Sequence, residues 1–222
     1  MKRTIFIGDV HGCFDELMEL CNKIQLASDD RVYFTGDLIN KWPKSREVIE
    51  WVRNRPNTYS VIGNHEYFAL ADVLDIDALG HLESGHKTWI KNSLPKFSVL
   101  QEELHDHKEW ILSLPIVIET DEFIVVHGWL HPDFWVDTPL EIATLIREYG
   151  DIPWYETYTW KKPVIYGHWA VDGLRIRPNT IWLDSGCCFG WNLTAYCFET
   201  KEIWQARAHA VYKEPAHWKI LR

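Results

Sequence analysis

The 222-residue sequence lacks any apolar stretch approaching the length of a membrane span, and its N-terminal run, MKRTIFIGD, is too short for a secretory signal. Neither membrane insertion nor export is signalled, and a cytoplasmic location is expected. There is no CxxC pair. Cys13, Cys21, Cys187, Cys188 and Cys197 form an odd set without disulfide-frame or zinc-finger spacing, and they read as reduced, mostly buried thiols. Positive charge is also short: 23 Lys and Arg stand against 32 Asp and Glu, a net charge of -9. That balance argues against general binding to duplex nucleic acid or to an anionic membrane. It leaves a phosphate substrate open, because bound cations reverse the local field. No repeat, low-complexity tract or linker interrupts the chain, so residues 1–222 read as a single domain, a monomer or a weak homodimer.

What is present alternates. Thr4–Ile7, Arg31–Thr35 and Tyr59–Ile62 read as strands. Phe14–Ile24 and Ser45–Val52 carry helical periodicity between them, which predicts parallel crossovers and an α/β fold. The stretch from His65 to Leu114 lacks strong strands. Ala69–Leu79, Lys87–Asn92 and Leu100–Leu112 look helical there, so a helical insertion is expected over about 66–114. The last third returns to strands: Ile116–Ile118, Phe123–Val126, Val164–Tyr166, Thr180–Leu183, Leu193–Phe198 and Ile203–Ala206.

Five of these strands stop at residues that can bind metal. Asp9 and His11 follow the first, Gly36-Asp37 the second and Gly63-Asn64-His65-Glu66 the third. His127 follows FIVV, and Gly167-His168 follows VIY. One Gly-Asp after a strand is explained by turn chemistry alone. Five such ends in order are not. In an open α/β sheet, ligands gather outside the carboxyl ends of the strands, which would bring all five sets to one rim. Gly8, Gly36, Gly63, Gly128 and Gly167 allow sharp turns and close backbone approach there.

The donor types narrow the chemistry. Two Asp, one Asn and three His mix oxygen and imidazole ligands. That mixture suits first-row divalent ions, with manganese favoured and iron or zinc possible. Six donors exceed what one ion with an open position needs. Two ions sharing a carboxylate use the set well, and a pair about 3.5–4 Å apart can grip both oxygens of a phosphoryl displacement.

The blocks GDVHG, GDLIN, GNHE, HGWLHPD and GH, with IWLDSGCCFGWNLTAYCF behind them, resemble the PPP-type metallophosphoesterases. The similarity is to a small bacterial and phage branch that includes lambda-phage-type protein phosphatases and symmetrical diadenosine tetraphosphate hydrolases. The resemblance implies a calcineurin-like metallophosphoesterase fold: two mixed β-sheets in a sandwich flanked by helices. It implies that Asp9 and His11 bind one ion, that Asp37 bridges two, and that Asn64, His127 and His168 bind the second. It gives His65 the role of general acid.

The second block departs from the family pattern. Most relatives read GD-x-x-D-R-G, and this chain reads GDLINKWPKS. Asn40 stands where an Asp usually supports the catalytic His. Lys41 stands where an Arg usually holds phosphate, and an ammonium cannot give a guanidinium's two-point grip. Arg147, in LIREYG, matches a second phosphate-binding Arg by spacing, with Lys161 and Lys162 as weaker candidates.

The expected activity is therefore metal-dependent hydrolysis of a phosphomonoester, with a phosphoprotein as substrate. The alternative is pyrophosphate cleavage in a nucleotide, either a dinucleoside polyphosphate or a capped RNA end. Trp42, Trp129 and Trp169 beside the ligand blocks motivate it, since an indole can stack on a base. A further alternative, motivated by the lost Asp-Arg pair, is a weakly catalytic or non-catalytic metal-binding regulatory module.

Overall fold

The computed structural model describes residues 2–41, 44–73, 106–131, 133–145, 154–170 and 172–214. Strands and helices below are numbered in chain order among these residues. Two five-stranded sheets face one another, and both are mixed.

In the first sheet the order is β10–β9–β1–β2–β3. β1 (Thr4–Ile7), β2 (Arg31–Phe34) and β3 (Thr58–Ser60) run parallel, joined by helices α1 (Phe14–Ile24) and α2 (Ser45–Asn54). β9 (Asn192–Cys197) lies antiparallel to β1, and β10 (Ile203–Arg207) antiparallel to β9. The second sheet has the order β4–β5–β6–β8–β7. Its centre, β5 (Ile124–Val126), β6 (Val164–Tyr166) and β8 (Thr180–Trp182), is parallel. β4 (Val117–Glu119) and β7 (Arg175–Ile176) add antiparallel edges.

The period of two along β1 sorts its side chains between two cores. Ile5 and Ile7 point to the helix side and pack with Leu17, Leu20 and Ile24 of α1. Phe6 points between the sheets, into a cluster with Tyr33, Phe123, Val125, Ile165 and Leu183. Its ring meets Phe123 of the opposite sheet edge-on at 4.9 Å. A strand covered on both faces needs a continuous apolar run, which is why IFI carries no polar alternation.

Several boundaries differ from the expectation. Helix α3 begins at Asn64 and runs to Val73, rather than beginning at Ala69. Val61 and Ile62 are buried past the end of β3: Val61 N–H still reaches the Phe34 carbonyl at 3.3 Å, whereas Ile62 N–H turns to the Pro115 carbonyl at 2.9 Å. The expected insertion is described only at its ends, by α3 and α4 (Lys108–Leu112). Residues 74–105, including the expected helix Lys87–Asn92, lie outside the described residues. β7 lies between the expected strands Val164–Tyr166 and Thr180–Leu183, where no strand was anticipated. Short helices α5 (Leu140–Leu145) and α6 (Trp154–Thr157) had no periodic run long enough to show. No helix among the described residues is long and apolar enough to cross a membrane.

Candidate metal centre

The chain leaves β1 at Ile7 and crosses the rim as Gly8, Asp9, Val10, His11. Val10 and His11 N–H both donate to the Asp37 carbonyl, at 3.1 and 2.8 Å, and Gly12 N–H donates to Leu38 at 2.8 Å. The turn after β1 is thus stitched to the turn after β2. Backbone strain gathers here. Of the nine described non-glycine residues with positive φ, five are His11, Asp37, Asn40, Lys41 and His168. Such conformations persist only where surrounding structure enforces them. Two glycines are required by contact: a Cβ on Gly167 would come 2.1 Å from Asp9 Oδ1, and one on Gly63 would come 2.2 Å from Asp37 Oδ1.

Glu66 supplies much of the enforcement. Its buried carboxylate accepts N–H bonds from Asp37, Leu38 and Gly63, each at 2.8 Å, and from Ile39 at 3.2 Å. The turns after β2 and β3 are therefore tied to one side chain. Burial and nearby Asp37 push the Glu66 carboxyl up to about 7, against the pull of the backbone donors. Four donors on two oxygens need an acceptor-only group, which is the ionised form.

The predicted residues converge. His11, Asp37 and His65 place one potential ligand atom each within 4.8 Å of one another, and so do Asp37, His127 and His168. The two groups share Asp37. Asn64 Oδ1 joins the second group, 2.9 Å from His127 Nε2 and 2.8 Å from His168 Nδ1. Ring orientation is fixed from behind: His127 Nδ1 meets the Thr35 carbonyl at 2.7 Å, and His11 Nδ1 meets the Ile39 carbonyl at 3.1 Å. That leaves each Nε2 aimed inward. Asp9 stands beside the groups, accepting from the Thr35 hydroxyl and the His168 N–H, each at 3.0 Å.

The electrostatics fit a cation pair. Burial first, then Asp184 and Asp37, push the Asp9 carboxyl well above its ordinary value. Burial likewise raises Asp184 and lowers His127 to about 4. Carboxylates crowded in a dry site need positive charge, and neutral imidazoles offer lone pairs. Two overlapping groups that mix oxygen and imidazole donors have the composition that first-row divalent metals take.

Other predicted residues fare differently. Asn40 does not meet the His65 ring through any described bond. Its Nδ2 donates to the His65 carbonyl at 3.5 Å, and its own N–H is held by Ser45 Oγ at 3.0 Å. Lys41 Nζ reaches His11 Nε2 at 2.6 Å and lies 5.2 Å from the Phe189 ring centroid. Arg147 and Trp42 lie outside the described residues. Lys162 pairs with Glu119 at 2.6 Å, away from the rim. Trp129 is core, whereas Trp169 is half-buried beside His168.

Sequence reasoning missed three residues. Asp184 follows β8 and is buried with the other acids. It is a sixth strand end of the same kind, and that criterion would have found it. Glu66 had no expected role although it sits within GNHE. Lys213, from the C-terminal segment, adds positive field at His11, with its N–H on the Cys188 carbonyl at 2.9 Å.

Comparison with known proteins finds relatives over nearly the whole chain. A symmetrical bis(5'-nucleosyl)-tetraphosphatase from Dechloromonas aromatica (strain RCB) is 25% identical, covering 91% of this chain and 95% of its own. One from Baumannia cicadellinicola subsp. Homalodisca coagulata is 27% identical, covering 91% of each. A crystal structure of a candidate diadenosine tetraphosphatase superposes with a TM-score of 0.73 at 26% identity, over 93% of this chain and 94% of the other. A metallophosphoesterase from Sphaerobacter thermophilus shares the fold, with a TM-score of 0.60 at 18% identity over 93% and 88%. The family model described as calcineurin-like phosphoesterase matches residues 2–208, so two donor groups at the rim of two mixed sheets are set in a chain that belongs to that metallophosphoesterase family.

Proposed function

We propose that this metal-dependent phosphoesterase cleaves the phosphoanhydride bridge of a dinucleoside polyphosphate. The sequence placed a phosphoprotein first and this substrate second. The order is reversed because the curated relatives that span the chain are named as bis(5'-nucleosyl)-tetraphosphatases. The observation that carries the phosphoesterase reading is the pair of donor groups sharing Asp37.

The residues at 40 and 41 are compatible with that substrate. Asn40 supplies no negative charge to help His65 hold a proton. A serine alkoxide leaves poorly without that proton. A phosphate leaving group needs it less, since its second pKa is about 6. A chain that has lost its Asp-His support therefore suits a phosphoanhydride better than an alkyl phosphate. Lys41 and Lys213 supply positive charge, and Trp169 is the ring assigned to a base.

We assign one ion to His11, Asp37 and Asp9, and the other to Asp37, Asn64, His127 and His168, with manganese as the resident metal. Bound there, divalent ions lower the pKa of a water and neutralise phosphoryl charge. The chain's own part is to bring the carboxylates together, to aim Nε2 of His11 and His127 inward, and to hold His65 beside the first donor group.

The test compares diadenosine tetraphosphate with a phosphoserine peptide on manganese-loaded protein. The dinucleotide should be favoured at least about tenfold in kcat/KM, equivalent to 1.36 kcal/mol of transition-state stabilisation. Equal or faster turnover of the peptide overturns the substrate assignment. No turnover of either, in protein shown to hold its metals, overturns the catalytic reading.

A further inference from the structure

A second cluster of ligand-type side chains is built around Cys13, which ends the β1–α1 turn. Cys13, Glu16 and Cys187 bring one ligand atom each within 4.8 Å of one another, and all three are buried. Cys13 is the N-cap of α1, and its side chain makes no capping bond. Glu16 lies three residues on, over the first turn, where i and i+3 share a face. Cys187 comes from the opposite end of the sequence, opening a short 3-10 turn between two left-handed glycines, Gly186 and Gly190. Two thiols and a carboxylate thus meet from segments more than 170 residues apart in the chain.

Glu16 is the informative member. Its Oε1 accepts from the His209 N–H at 2.9 Å and from the Tyr212 hydroxyl. Its Oε2 has no described partner, although the residue is 0% exposed. A fully buried carboxylate oxygen without a donor is costly and calls for an explanation. The cluster is also inside the helix-side core, where apolar side chains would pack without that cost.

We propose that Cys13, Cys187 and Glu16 bind a thiophilic divalent cation, with zinc the best match, as a structural site separate from the catalytic pair. Two thiolates and one carboxylate make three ligands of a tetrahedral site. The His209 imidazole, with Nδ1 3.8 Å from Glu16 Oε1 and Nε2 3.1 Å from Glu19 Oε2, would have to turn away from Glu19 to supply the fourth. Such an ion would clamp the 187–190 turn and the Tyr212 segment to the helix that follows Asp9 and His11. It would also give Glu16 Oε2 its missing partner.

Thiolate ligation separates this site from the catalytic one, which contains no sulfur. The full chain, reduced and stripped of metal, is titrated with Co(II) and followed in the near ultraviolet. Thiolate-to-cobalt charge transfer should grow to one ion per chain. Asp37→Asn and Cys188→Ala should keep it. Cys13→Ser, Cys187→Ser and Glu16→Gln should lower the cobalt affinity at least tenfold and weaken or abolish the band. His209→Ala should shift it. Wild-type protein with five titratable thiols but no sulfur-to-cobalt band overturns the proposal, whatever the variants do. So does a band that survives intact in folded Cys187→Ser. Loss of phosphoester hydrolysis in Asp37→Asn with the band retained would bear on the catalytic centre alone.

Discussion

The two sheets come to their common rim on unequal terms. The first contributes the shared carboxylate, Asp37, and is braced by Glu66 across two of its turns. The second contributes the imidazoles His127 and His168. Their partners come from the first: His127 is oriented by the Thr35 carbonyl, and His168 meets Asn64 and takes Asp9 on its N–H. The first sheet acts as the frame, and the second hangs its ligands on that frame. Damage to the frame should therefore disable both donor groups, whereas damage to the second sheet's ligands should disable one.

The widest gap should open between Asp37→Asn and His168→Gln. Losing the shared carboxylate removes several kcal/mol of charge stabilisation, a fall in kcat/KM of about a thousandfold or more. Elemental analysis should show fewer ions per chain in Asp37→Asn. His168→Gln should leave the first group loaded and cost less in kcat/KM. Equal losses would break the asymmetry.

Glu66→Gln probes the brace without touching a donor. Its amide would set an NH2 against backbone N–H groups and break half the network. Supporting residues of this kind cost about 10–100-fold in metal affinity when changed. Manganese titration should show that loss while the fold, read by circular dichroism, persists. Unchanged affinity would show that the frame is held by backbone pairing alone.

Most of the fold around the rim was legible in the sequence, for physical reasons. β1, α1 and β6 occur at the expected residues because each is buried in a simple period, and glycine marks the exits of both strands. The convergence of Asp37 with His127 and His168 was legible because strand ends of one sandwich share a rim. Glu66 was not, since a side chain bonding backbone N–H groups of another turn leaves no local pattern. β7 was missed because two residues at a sheet edge carry no periodicity. Asp184 went unread although it obeys the strand-end rule.

The frame's far edge offers a stability test. Asp30 accepts from Arg3 Nη2 at 2.6 Å, Arg3 Nε at 3.2 Å and Ala27 N–H at 2.9 Å. Burial pushes the Asp30 carboxyl up, but the Arg3 guanidinium and these N–H groups outweigh it and hold it below its ordinary value. A carboxyl depressed by folding stabilises above its unfolded pKa of about 3.9, and that contribution disappears as pH falls through the folded value. Asp30→Ala should cost about 2 kcal/mol at pH 7. The gap from wild type in denaturant melts should narrow below about pH 4. A gap independent of pH would assign the loss to packing.

The smallest effect should come from Lys41, and it separates two roles for that residue. Its ammonium sits 2.6 Å from His11 Nε2, the atom assigned to the first ion. An ion entering there must move it. In Lys41→Met the competing charge is gone, so manganese should bind the first group about fivefold more tightly, on the order of 1 kcal/mol. Turnover should fall in the same variant, because phosphate loses a cation. Calorimetric titration with manganese reads the first change and steady-state kinetics the second. Weaker manganese binding in Lys41→Met would mean that the ammonium orients His11 instead of competing with metal. The first sheet's frame would then extend to residue 41.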